Sequence, residues 1–417
     1  MKFKPFSRKQ LKVLSWWKVN GIKNKYDAII ADGSVRSGKT VSMSISFLMW
    51  AMENFSDCNF AICGKTVGSC RRNVIKPLIN MMGGRYNIKD KRSENLLTVS
   101  KKGKTNSFYI FGGKDESSQD LIQGITLAGI LFDEVALMPR SFVKQGLARC
   151  SVEGARFWFN CNPDNPNHWF YKEWILNAAE KHAVRLKFLM DDNLSLSQKV
   201  KERYYCLYTG TFFRRFILGE WVIAEGLVYQ HFNDHIADML WHGSEDELKG
   251  RWYISMDYGT INPCSMGLWC VRDHEAIRVK EYYFNSREEG YQKTDEEHYE
   301  ALEELAGNHY IEDVIIDPSA ASFKETIHRH NKFYTRNAKN DVVNGIRTTS
   351  SMLNVGLVKI GASCVNSIAE FGMYSWDSKS SEDKVIKEND HAMDDIRYFC
   401  HTVLSEEFEF EEYAENG

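Results

Sequence analysis

The stretch Gly33-Ser34-Val35-Arg36-Ser37-Gly38-Lys39-Thr40, GSVRSGKT, decides how the first half of the chain is read. It fits G-x-x-x-x-G-K-[ST], the loop that wraps the phosphates of a nucleotide. The glycines let the backbone turn so that successive N–H groups face an anion, and the following helix adds its positive end. Gly33, Ser34, Ser37 and Gly38 are therefore expected to cradle phosphate. Lys39 reaches the outer phosphates as a point charge, and Thr40 offers its hydroxyl to Mg²⁺. The flanks agree. Tyr26-Asp27-Ala28-Ile29-Ile30-Ala31 reads as a short buried strand, and VSMSISFLMWAM after Thr40 reads as a buried helix. Strand, glycine loop, helix is the order this chemistry requires.

Working outward, about ninety residues beyond Lys39 lies Gly129-Ile130-Leu131-Phe132-Asp133-Glu134, an apolar strand ending in two acids. Asp133 is expected to support Mg²⁺, and Glu134 to polarise the attacking water. A binding switch does not need that second acid, whereas ATP hydrolysis does. Gln10, upstream in FSRKQLKVL, is a candidate for reading the adenine edge. Arg36, inside the loop, is a candidate for stabilising charge on the transferring phosphoryl group, or equally for pairing with a nearby acid. The strand ARFWFNCNP ends in Asn160, Cys161, Asn162 and Pro163. An amide there can sense hydrolysis, although Asn-Pro is also plain turn chemistry.

At 417 residues the chain has room for two domains. A net charge of −3 excludes a strongly basic nucleic-acid coat and leaves any DNA contact to local patches. The ten cysteines form no C-x-x-C pair, so reduced thiols are expected rather than a disulfide frame or a zinc site. No apolar run approaches the ~20 residues that span a bilayer. The first half alternates strand-like and helical runs, the pattern of a mostly parallel α/β sheet. Residues 211–250 read as a connector between an ATPase domain at 1–210 and a second domain at 251–417. That second domain opens with three strand-like runs, RWYISMDYG, CSMGLWCV and AIRVKEYYF. A helix near Asp295 to Ala306 follows, then EDVIID, then further helices. This is the order of an RNase H-like core.

Acids of the second half are candidates to hold metal. Asp257 interrupts an apolar strand, where an unpaired carboxylate is costly. Asp317 closes EDVIID, and NDHAMDDIRY supplies Asp390, His391, Asp394 and Asp395. Paired metal ions ~3.5–4 Å apart stabilise both oxygens of phosphodiester cleavage and need carboxylates from separate elements. Oxygen ligands suit Mg²⁺ or Mn²⁺. On a helix the apolar stripe runs through Met393, Ile396, Cys400 and Val403. Asp394 and Asp395 both lie off it at similar angles, so the wheel does not choose between them. Glu281, in KEYYF, is a further candidate ligand.

Taken together, GSVRSGKT, ILFDEV, FNCNP, LGEWVIAEGLVY, MDYG, IIDPSAAS and DHAMDDIRY resemble the large terminase subunit of tailed bacteriophages of Gram-positive hosts. The resemblance implies an N-terminal ATPase that translocates double-stranded DNA into a prohead and a C-terminal RNase H-like nuclease that cuts concatemers. It implies ATP with Mg²⁺ at Lys39, Thr40 and Asp133, with Glu134 as the catalytic acid and Asn162 in the coupling motif. It also implies nuclease metal ligands at Asp257, Asp317 and Asp394, with His391 assisting. Relatives often carry Ala at the position of Asp395, which favours Asp394, and many carry the loop arginine one position before Arg36. The implied partners are the portal protein, a small terminase subunit and further copies of the chain on the portal. The implied location is the host cytoplasm. The competing reading is a helicase-like remodelling ATPase whose second domain binds DNA without cutting it.

Overall fold

The computed structural model describes residues 5–18, 25–259, 262–272, 275–377, 380 and 382–406. The chain divides into two units, 1–205 with 211–223, and 206–210 with 224–417.

The first unit is built on eight strands: β1 (Ala28–Gly33), β2 (Asn59–Gly64), β3 (Asn87–Lys91), β4 (Leu96–Lys101), β5 (Lys104–Gly112), β6 (Gly129–Phe132), β7 (Arg156–Cys161) and β8 (Ala183–Phe188). Their order is β3-β4-β5-β2-β6-β7-β1-β8. From β5 to β8 every neighbouring pair is parallel, while β3, β4 and β5 form an antiparallel flank. Central strands buried on both faces read as continuous apolar runs, and all six residues of β1 are buried. The helix Lys39–Asn54 is buried around most of its circumference. Its Phe47 and Trp50 pack on Trp158 of β7, with ring centroids 5.1 and 4.8 Å away. The KKGKTN turn is a two-residue hairpin between β4 and β5, with Lys102 and Gly103 at φ 49° and 79°, the hand that suits the strands' twist. β3, NIKDK, has no continuous apolar run and is not legible as a strand in the sequence.

The second unit carries β9 (Leu240–Trp241), β10 (Arg251–Asp257), β11 (Cys264–Arg272), β12 (Glu275–Phe284), β13 (Ile311–Ile316), β14 (Thr335–Asn337) and β15 (Val358–Gly361). They order as β14-β13-β10-β11-β12-β15-β9, with β10, β11 and β12 antiparallel and β13 parallel to β10. The expected helix spans Asp295–Ala306 and opens with a reciprocal cap between Thr294 and Glu297. Ile254, Met256, Leu268, Leu302, Val314 and Phe323 centre the core. The helix His391–Phe399 crosses β10 and buries eight of its nine residues.

The stretch 211–250, expected to be a connector, is divided between the units. Residues 211–223 belong to the first because their side chains are anchored there. Arg215 is 2% exposed, donates to the Val222 carbonyl and pairs with Asp164 at 3.1 Å. Trp221 donates its indole N–H to Asp32 at 3.1 Å. From Ala224 onward the chain packs in the second unit, where Val228 N–H donates to the Tyr374 carbonyl. The ten cysteines are free thiols, and no helix among the described residues is long and apolar enough to cross a membrane.

Candidate functional site

In the first unit the loop Gly33–Thr40 leaves β1 between β7 and β8, so it meets the C-terminal ends of its neighbours, where ligands of open α/β sheets bind. Gly33 has φ 135°, and a Cβ there would fall 1.9 Å from the Phe188 carbonyl oxygen, so only glycine fits. Gly38 enters the helix at φ 82°. The Lys39 ammonium donates to the carbonyls of Gly33 (3.1 Å) and Ser34 (2.7 Å) and to Asn162 Oδ1 (3.0 Å). Burial lowers its pKa, against the opposing pull of Glu134. Thr40 donates to Asp133 Oδ1 at 3.0 Å. Burial raises the Asp133 pKa, opposed by hydrogen bonds from Asn160 and Thr40. Ser37 Oγ donates to the Ser34 carbonyl, and the buried Ser34 hydroxyl has no protein partner among the described residues.

Glu134 sits at φ 58°, a left-handed backbone that a non-glycine residue holds only when its surroundings enforce it. Its carboxylate accepts from Asn162 N at 3.3 Å and from Asn162 Nδ2 at 3.2 Å, while its own N–H donates to Asn160 Oδ1. Asn162 therefore links Lys39 to Glu134. Gln10 uses Oε1 to accept from Ser7 N–H and cap the helix Arg8–Ser15, and its Nε2 lies against Gly38. Arg36 is exposed and turned onto Tyr204.

In the second unit Asp257 ends β10 and Asp317 follows β13, its parallel neighbour, with Met256 opposite Ile316. His391 Nδ1 bonds Asp257 Oδ2 at 2.8 Å. Asp394 Oδ1 accepts from Arg397 Nε at 3.2 Å and pairs with its Nη2 at 2.9 Å, and Oδ2 lies 3.4 Å from Lys387 Nζ. Asp317 accepts from Ser319 N–H (2.7 Å), Asn340 Nδ2 (2.6 Å) and Tyr398 Oη (3.0 Å). Burial pushes the Asp317 carboxyl up, but the donors from Ser319 and Tyr398 outweigh it and hold it below its ordinary value. Asp257, by contrast, is raised by burial despite the His391 bond. A cavity of about 600 Å³ opens here, lined by Asp257, His391, Asp394, Asp390, Lys387 and Glu370 among others.

Residues 30–233 match the family described as terminase large subunit, T4likevirus-type, N-terminal. The solved large terminase of a thermophilic bacteriophage is 50% identical, with a TM-score of 0.90 over 96% of this chain and 100% of that one. The chain belongs to the bacteriophage large terminase family. A second structure of that thermophilic phage's terminase, in complex with ADP, is 49% identical at a TM-score of 0.87, covering 96% of this chain and 100% of that one. The terminase large subunit of Escherichia phage T5 is 22% identical over 202 residues, 46% of this chain and 45% of that protein, so the match spans less than half the length of this curated relative.

Not every acid expected at the terminase's second site is used alike. Among the described residues no three His, Cys, Asp or Glu side chains stand together at metal-holding spacing. Asp257, Asp317 and Asp394 are each bonded to separate protein donors, and all three raise the pKa of Tyr398, whose hydroxyl donates to Asp317. Asp395 lies elsewhere: it is fully buried and accepts from Ser255, from Ser265 at 2.8 Å and from Arg278 at 2.7 Å. Glu281 is spent on the first turn of the helix Val365–Phe371, accepting from Asn366 and Ser367. Several residues went unread in the sequence. Asp32 and Arg278 are charges inside apolar strands, the signal that singled out Asp257. Arg397, Tyr398 and Lys387 carried no such signal.

Proposed function

We propose that this terminase is a DNA-packaging motor: its first unit hydrolyses ATP to move double-stranded DNA into a prohead, and its second unit is a metal-dependent endonuclease that cuts the concatemer. The observation that carries the ATPase reading is the continuous network joining Lys39, Asn162, Glu134, Asn160, Asp133 and Thr40 at the C-terminal ends of the parallel strands β1, β6 and β7. Solved structures of the thermophilic phage's terminase in complex with ADP and with ATP-γ-S, 49% and 48% identical, support ATP as the ligand. In this reading Gly33, Ser34, Ser37 and Gly38 turn N–H groups toward phosphate, and Lys39 exchanges its carbonyl acceptors for phosphate oxygens. Gln10, beside Gly38, reads the adenine. Thr40 and Asp133 would hold Mg²⁺, which would neutralise phosphate charge. Glu134 takes the proton of the attacking water, and Asn162, bonded to both Lys39 and Glu134, reports which nucleotide is present.

For the nuclease, Asp257, Asp317 and Asp394 offer the hard oxygen donors that Mg²⁺ or Mn²⁺ requires, and such ions would stabilise the attacking and leaving oxygens. His391, bonded to Asp257, orients that carboxylate. The portal protein, a small terminase subunit and further copies of the chain are the partners this function needs, and the host cytoplasm is its place. Two substitutions test the reading. Glu134→Gln is expected to bind ATP with affinity near wild type while turnover falls by at least about 100-fold. Asp257→Asn is expected to abolish plasmid nicking in Mn²⁺ or Mg²⁺ and to spare ATP turnover. Normal turnover in the first variant rejects Glu134 as the base, and surviving nicking in the second rejects the metal site.

A further inference from the structure

Arg36 directs its side chain at Tyr204, which lies outside the loop. Its backbone is left-handed at φ 54°, and Asn193 Nδ2 holds its carbonyl at 2.8 Å. Its Nε donates to Tyr204 Oη at 2.6 Å, and its guanidinium carbon lies 5.5 Å from the centre of the Tyr204 ring. Tyr204, on the helix Gln198–Leu207, is only 8% exposed, whereas Arg36 is exposed. A fixed, buried phenol thus holds a long, exposed cation three residues before Lys39. The phenol oxygen is neutral. A phosphate oxygen makes shorter and stronger bonds to guanidinium and wins it when one comes within reach.

We propose that Tyr204 is a positioning residue that retains Arg36 while the outermost phosphate is missing and yields it when a nucleoside triphosphate binds. The inference rests on the reading of the first unit as a nucleotide site. Its consequence is directional. The bond from Arg36 to Tyr204 opposes triphosphate binding, because it must break, and leaves diphosphate binding untouched.

The test is a set of dissociation constants for ATP-γ-S and ADP on the full-length protein. Tyr204→Phe keeps the ring and removes the acceptor, and is expected to bind ATP-γ-S about three- to tenfold more tightly with ADP unchanged, the worth of one lost competing hydrogen bond. Arg36→Ala is expected to weaken ATP-γ-S and spare ADP, and Tyr204→Phe added to it is expected to do nothing more. Three outcomes overturn the proposal: unchanged or weaker ATP-γ-S binding in Tyr204→Phe, an equal shift for both nucleotides, or an effect that survives in the Arg36→Ala background. Wild-type protein that binds neither nucleotide instead removes the nucleotide site itself.

Discussion

Asp394 and Asp395 are adjacent in the chain and stand in different surroundings, the first lining a cavity and the second inside the core. Asp395 is 0% exposed, and Arg278, also 0% exposed, reaches it at 2.7 Å. Arg278 Nε and Nη1 have no hydrogen-bond partner among the described residues, so the buried cation depends on that one carboxylate. Removing one partner of such a pair strands the other. Asp395→Asn is therefore expected to cost about 3–5 kcal/mol of stability. Asp394→Asn, facing the cavity and beside the exposed Lys387, is expected to cost less because water reaches that site, and to lose cleavage in an otherwise folded protein. Chemical denaturation of both variants, beside a nicking assay, checks the contrast. A helical wheel could not separate the two acids, because what separates them is a strand residue 117 positions earlier. Lys39, Thr40, Asp133 and Glu134 were legible because their motif fixes them locally. The partners His391 of Asp257 and Asn340 and Tyr398 of Asp317 lie 134, 23 and 81 positions further along the chain, which a linear pattern does not encode.

Among the elements, the central strands of both sheets followed from apolar runs and the helix Asp295–Ala306 was expected, whereas β3 and the short strands β9, β14 and β15 were not read. Nor did the segment after Thr211 follow, because its partners lie in β1. Gly219 shows how close that approach is. Its φ is 63°, and a Cβ there would stand 3.0 Å from Gly33 Cα and 3.2 Å from Ser34 N. Val35 N–H donates to the Phe216 carbonyl at 2.9 Å, and Trp221 and Arg185 both hold Asp32. The run from Phe216 to Trp221 thus lies as a strap on the front half of the phosphate loop. Gly219→Ala is expected to destabilise the first unit by about 1–3 kcal/mol, the cost of a side chain in that backbone region, and to weaken ATP binding. A melting curve with and without nucleotide checks it. An unchanged melt would show that the loop accommodates the extra carbon.

For the molecule as a whole, acid sensitivity is set partly in the second unit. His298 is 1% exposed among Tyr258, Tyr282, Phe284 and Phe323, and burial, helped by Lys293, holds its pKa down to about 4. Between that value and the unfolded one near 6.5 the unfolded chain binds the extra proton. Its contribution is therefore intact above about pH 6.5 and is lost as pH falls toward 4. His298→Gln is expected to flatten the fall in melting temperature between pH 6.5 and 4.5, and an equally steep fall in the variant would place the sensitivity elsewhere. The strap on the phosphate loop has a further consequence, in the order of synthesis. Asp32 meets Trp221 across 189 residues of chain. An N-terminal fragment stopped at Gly210, where the sequence suggested a boundary, would carry every motif residue of the nucleotide site and still lack its clasp. On the ribosome the loop emerges early and lacks this clasp until Trp221 clears the exit tunnel, so the first unit is completed only when the chain has reached its border with the second.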